Sequence, residues 1–140
     1  MKIMKILEIN KNYFLRSGSD RHYFEVSKLL ASHGHQIIPF STHHPLNLPT
    51  PFEKYFVDQI DWHAPVLKTL PKITKFFYSG EAAKKLSKII EKFKPDIAHV
   101  HLIYHHMSAS VLTTLKKYGI PVVYTIHDWK LICPNFKLYT

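Results

Sequence analysis

A chain of 140 residues, 46% hydrophobic and 14% aromatic with only four glycines, suffices for one packed domain and excludes a disordered or low-complexity polypeptide. No stretch approaches the roughly 20 apolar residues that cross a bilayer, and Glu8 interrupts the N-terminus too early for a secretion signal; with the single Cys133 unable to pair within the chain, a cytoplasmic protein is expected. A formal net charge of +9 and eleven histidines favour anionic partners without choosing among nucleic acid, anionic lipid and phosphorylated small molecules.

In chain order, Met1 to Ile9 reads as a first strand. Its apolar residues show little alternation, as in parallel strands covered on both faces. A loop, Asn10 to Ser19, leads into a helix predicted to run to about His33, capped by Gly18 or Ser19 with Asp20 in its first turn. Tyr23, Val26, Leu29 and Leu30 would form its apolar face, and Gly34 its stop. Gln36 to Phe40 is a second short strand; Ser41 to Pro51 is a loop rich in proline. Tyr55 to Val57 is a weak third strand. Gly80 to Phe93 is the clearest helix, with Leu86, Ile89, Ile90 and Phe93 at i, i+3, i+4 and i+7 and Pro95 ending it. Asp96 to His101 is a fourth strand. Met107 to Tyr118 is a helix capped by Ser108 and closed by Gly119. Val122 to Ile126, a β-branched run expected to be dry, is the fifth strand and ends in His127 and Asp128.

Alternating strands and helices imply an α/β class: a Rossmann-like parallel sheet with helices on both faces. Five strands fall short of the usual six or so of a doubly wound nucleotide-binding domain. The chain is therefore either a complete five-stranded domain or the front of a longer protein, and the ordered-looking segment Trp129 to Pro134 favours the second.

Ligands of such sheets bind beyond the carboxyl ends of the strands. His127-Asp128 occupies such a position, and equally suits a plain solvated loop. Ser17-Gly18-Ser19-Asp20 opens a helix, where backbone N–H groups can receive a phosphate; one glycine is also compatible with an ordinary capped helix. His99 and His101 share one face of their strand. No acidic or Cys cluster completes a zinc set at recognisable spacing, so no metal is expected. His101 would border the crevice, with His99 more buried. Lys72, Lys75, Phe76 and Phe77, inside a lysine-rich run, suit an anionic membrane surface. Nucleic acid is disfavoured, since no helix-turn-helix or RNP-like pattern accompanies the lysines.

Three stretches, Lys5 to Phe24 with Gly34-His35, Lys94 to His101 with Ile103-Tyr104-His105, and Gly119 to Asn135, together resemble the N-terminal domain of a GT-B glycosyltransferase of glycosyltransferase family 4. The resemblance implies two Rossmann-like domains across a cleft, with residues 1–140 forming the acceptor-side one and the donor-binding domain absent. It implies a retaining transfer from a nucleotide-sugar, without an obligatory metal or other cofactor, in polysaccharide or glycolipid biosynthesis. The family's glycine-rich turn near the donor diphosphate falls on Ser17, Gly18 and Ser19. The family usually has Gly-Gly and an acidic residue, commonly Glu, where this chain has Ser17-Gly18 and Asp20. The family histidine beside the transferred sugar matches His127, next to Asp128. His101 and Tyr104 would meet the acceptor. Alone, the chain would be an inactive half-site, peripheral at the inner face of the cell membrane. The competing reading is a non-catalytic basic α/β module that binds anionic membrane or a protein partner.

Overall fold

The computed structural model describes residues 2–59, 78–104, 106–129 and 133. The basic segment holding Lys72, Lys75, Phe76 and Phe77 lies outside the described residues.

Among the described residues four strands form one parallel sheet: β1 (Lys5–Ile9), β2 (Gln36–Phe40), β3 (Ile97–Val100) and β4 (Val122–Tyr124), in the order β2-β1-β3-β4. Among the described residues three helices accompany them: α1 (Gly18–Ser32), α2 (Gly80–Phe93) and α3 (Ser110–Lys117). Register pairs Leu7 with Ile38, Glu8 with His99, and Val100 with Tyr124.

Alternation divides the strand residues between two faces. Leu7, Ile9, Ile38, Phe40, Ala98 and Val100 turn to one side and pack with Leu86, Ile89 and Ile90 of α2 and Val111 and Leu115 of α3. The predicted apolar stripe of α2 is thus what seats it on the sheet. Ser79 caps α2 by accepting from the Ala82 N–H at 3.2 Å, and Lys94, at φ 51°, ends it before Pro95. Gly34 and Gly119 take positive φ at the ends of α1 and α3, as their C-terminal placement predicts. Glu8, His99 and His101 project from the opposite face, toward α1. Tyr23 of α1, buried, meets the ring of His101 edge-on at 5.3 Å. Helices therefore do cover both faces.

Several expectations are corrected. Tyr55 to Val57 is not a strand: Glu53–Tyr55 is one 3-10 turn, and Val57 makes a single parallel bridge to Thr42. Side chains of α2 hold this segment instead, with Lys85 Nζ donating to the Phe56 carbonyl and Glu81 accepting from the Asp58 N–H at 3.0 Å. The last strand is short and not dry, since Val123 is 51% and Ile126 59% exposed; β4 lies at the end of the sheet order among the described residues. Leu29, assigned to the inner face of α1, is 58% exposed. α1 covers a polar patch of the sheet rather than an apolar one, so its inner face needs few large aliphatics. Helix α3 begins at Ser110, not Met107. Ser108 takes φ 57° and accepts from the N–H groups of Ser79 (2.9 Å) and Ser110 (3.3 Å), linking the starts of α2 and α3.

Candidate functional site

The strand order reverses direction at β1: β2 lies on one side of it and β3 on the other. That switch opens a crevice beyond the carboxyl ends of β1 and β3. The pairing runs two residues past both strands, with His101 N–H donating to the Ile9 carbonyl at 2.8 Å and Lys11 N–H to the Leu102 carbonyl at 2.7 Å. Glu8, Asn10, His99 and His101 are thereby fixed at the crevice floor.

Glu8 is fully buried in the middle of the sheet, and its two oxygens divide between two imidazoles. Oε1 lies 3.2 Å from His99 Nδ1, and Oε2 lies 3.2 Å from His101 Nε2. Burial, the largest influence, pushes its carboxyl up, but the hydrogen bonds from His101 and His99 and the electrostatic attraction of the two rings together hold it below the usual range. His99 reaches on to Thr125 Oγ1 at 2.7 Å, and His101 Nδ1 reaches His127 Nε2 at 2.9 Å. His22 of α1 stands beside both, with ring centroids 5.9 Å from His101 and 5.4 Å from His127. Burial lowers the His101 imidazole despite its bond to Glu8. His127 is lowered by burial and by its His101 and His22 neighbours, which outweigh nearby Asp128. A buried carboxylate thus underlies His101 and His127, both neutral at neutral pH, and His127, the outer of the two, is partly exposed.

The turn between β1 and α1 is built on Asp20, which is fully buried. Its carboxylate accepts from Asn10 Nδ2 (3.0 Å), from Asn12 Nδ2 (3.3 Å), and from both the N–H (3.0 Å) and hydroxyl (2.8 Å) of Ser17. Ser17, rather than Gly18 or Ser19, is the cap residue of α1. An Asp at this point reaches inward to the turn. Gly18 faces outward, and a Cβ placed there would meet nothing within 4 Å. Beside it lies a surface hollow of about 430 Å³ lined by Leu15, Arg16, Ser17, Gly18 and Arg21. Two guanidinium groups and a helix N-terminus give this hollow a positive potential. Arg21 precedes His22, so α1 ties the Gly18 turn to the histidine chain.

The strand-end residues expected from sequence, His101 and His127, come together directly. Asp128 is close enough to influence both His127 and Tyr124. Tyr104 is hydrogen-bonded to Tyr124, whose phenol burial and that bond push up. The assignment of the two strand histidines is reversed. His101 is fully buried, while the His99 side chain keeps 13% exposure. His101 lies beneath His127, so it reaches the crevice through His127 and not on its own. Glu8, His22, Arg16 and Arg21 were not singled out from sequence. Glu8 had a signal, since a carboxylate inside an otherwise apolar strand demands a buried partner. The acidic residue thought missing from a metal set is also Glu8, whose ligand atoms lie within 4.8 Å of those of His99 and His101. Each contact in the trio is nevertheless a hydrogen bond in length, and the outer nitrogens of both imidazoles are taken by Thr125 and His127. The arrangement is that of a hydrogen-bonded chain.

Residues 16–139 match the profile of Glycosyltransferase Family 4. A 62-residue stretch is 40% identical to an uncharacterized 42.6 kDa protein in a cps region of Klebsiella pneumoniae, covering 44% of this chain and 16% of that protein. Among solved structures, the C-terminal domain of a hydrogenase from Pyrococcus furiosus superposes with a TM-score of 0.54 at 14% identity, over 89% of this chain and 92% of that one. That likeness concerns the α/β fold alone. The family profile covers the turn at Gly18, the histidine chain on β3 and the end of β4, and by it the chain belongs to glycosyltransferase family 4.

Proposed function

We propose that the protein is the acceptor-side part of a retaining glycosyltransferase that uses a nucleotide-sugar and no obligatory metal. The observation that carries the reading is the delivery of His127, hydrogen-bonded to buried His101, to the mouth of the crevice beside the helix that begins at Gly18. In this reading the donor diphosphate lies against the Gly18 turn, over Ser17, Gly18 and Ser19. The α1 N-terminus, Arg16 and Arg21 stabilise the charge that grows on the leaving phosphate. A second, donor-binding domain supplies the remaining contacts. His127 is neutral at neutral pH, so it suits accepting a hydrogen bond from a sugar hydroxyl. It orients the sugar and forms no covalent bond to it, with Asp128 beside it. The acceptor, part of a polysaccharide or glycolipid, enters past Tyr104. The occurrence of a relative in a cps region supports such an acceptor.

The full-length protein, incubated with a panel of nucleotide-sugars and lipid-linked acceptors, should release nucleoside diphosphate and give a product whose anomeric configuration, read by NMR, equals that of the donor. An inverted product, or no turnover with any donor, contradicts the reading.

The lysine-rich segment with Lys72, Lys75, Phe76 and Phe77 is proposed to rest on anionic lipid at the inner face of the cell membrane. The net charge of +9 supports this. Among the described residues no helix is long and apolar enough to cross a membrane. Flotation with phosphatidylglycerol vesicles should weaken on Lys72→Glu with Lys75→Glu; unchanged flotation would remove the idea.

A further inference from the structure

We infer that Glu8 is a positioning residue: acting through His101, it sets the proton pattern of the histidine chain so that Nδ1 of His127 is the acceptor offered to a ligand hydroxyl. The inference rests on the reading of His127 as the group facing the ligand.

The argument is one of donor and acceptor counting. An ionised carboxylate only accepts, and a neutral imidazole has one N–H and one lone pair. Glu8 Oε1 meets His99 Nδ1 and Oε2 meets His101 Nε2, so both of these nitrogens must carry the hydrogen. His101 Nδ1 is then a lone pair. At 2.9 Å from His127 Nε2 it requires an N–H there, because two lone pairs at that distance repel. His127 is left with its lone pair on Nδ1. The other branch obeys the same rule: Thr125 Oγ1 donates to His99 Nε2 at 2.7 Å. All four contacts then pair one donor with one acceptor. With Glu8 ionised and the rings neutral, no other assignment does so.

The consequence reaches the mouth of the site. A neutral imidazole in solution exchanges between two tautomers, and only one presents a lone pair on Nδ1. A ring whose Nε2–H is held by His101, itself backed by a buried carboxylate, presents Nδ1 as an acceptor continuously. The chain also strengthens that acceptor, because bonds in series polarise one another where water is excluded. No proton needs to move along it. Glu8 touches no ligand, since it lies two hydrogen bonds beneath His127.

The test reads tautomers and not sugar transfer, so it stands apart from the fate of the glycosyltransferase reading. Histidine side chains of the chain are labelled with ¹⁵N and examined by long-range proton–nitrogen NMR at neutral pH. In the unsubstituted protein, His127 should be a single tautomer protonated on Nε2. Glu8→Leu removes both acceptors, so nothing holds the His101 hydrogen on Nε2, and the single-tautomer signature of His127 should be lost. Thr125→Val removes only the donor to His99 and should leave that signature intact. Protonation of His127 on Nδ1 in the unsubstituted protein would overturn the inference without recourse to any variant. So would a His127 signature that survives Glu8→Leu, one that is lost in Thr125→Val, or a stoichiometric metal ion in the purified protein that Glu8→Leu releases.

Discussion

Nε2 of His127 stands 2.9 Å from Nδ1 of His101, with the two rings stacked at 19°. One residue follows β3 and is fully buried. The other lies just beyond β4 and is partly exposed. The contact joins the floor of the crevice to its mouth and gives an exposed loop residue a fixed position. An imidazole in a solvated loop would have no such partner.

Acid should weaken the fold in two stages. His101 and His127 are held below the ordinary imidazole value of 6.5, so below that pH the unfolded chain takes up protons that the folded chain refuses. Stability therefore falls as pH drops from 6.5 toward their folded values. Glu8 is held below the ordinary carboxylate value of 4.5. Its contribution is complete above that value and is lost as pH falls further, through its folded value. Urea midpoints should decline between about pH 7.5 and about pH 5 and again below the carboxylate range. A midpoint constant across the first interval would contradict the neutral, desolvated state of the two histidines.

Asp20→Ala should destabilise the protein by about 3 kcal/mol, because it leaves the amides of Asn10 and Asn12 and the Ser17 N–H without their acceptor. Asp20→Asn should cost less, as one acceptor oxygen survives. Chemical denaturation of the two variants measures the difference. Equal losses would mean that the buried carboxylate is not what organises the turn.

Gly18 separates folding from binding. Its surroundings are empty, so Gly18→Ala should leave the melting temperature unchanged or raise it slightly, by about 0.5–1 kcal/mol equivalent in helix propensity. The same methyl intrudes on a phosphate drawn close to the backbone. Calorimetric titration of the full-length protein with nucleoside diphosphate should show roughly tenfold weaker binding, about 1.4 kcal/mol. Unaltered affinity would move the diphosphate away from this turn.

Much of this architecture is legible in the chain because it depends on local pattern. Leu86, Ile89 and Ile90 recur at helical spacing, and the same residues pack α2 on the sheet. The end of β3 beside His101 could be located in the same way, whereas β4 ends at Tyr124, two residues short of the run Val122 to Ile126. Pairing between distant strands could not. Glu8 and His99 are opposite each other only because β3 lies beside β1, a fact of strand order that no local pattern carries. Without it, Glu8 reads as a stray charge in an apolar run, and His99 and His101 cannot be ranked by burial. The end of the chain misled for a related reason. Val122 and Val123 have the composition of buried strand residues, but their exposure depends on what lies beyond β4 in the sheet. Tyr55 to Val57 has strand-like residues too, and hydrogen bonds from α2 decide its course.

The central claim is that His127 faces the sugar, and steady-state transfer by the full-length protein carrying His127→Ala tests it most directly. The substitution leaves the buried Nδ1 of His101 without its donor, so the variant should lose about 1–3 kcal/mol of stability and still fold. Loss of a group that orients the reacting sugar should lower kcat/KM by about 100-fold. A folded variant that transfers sugar at the unsubstituted rate would contradict the account.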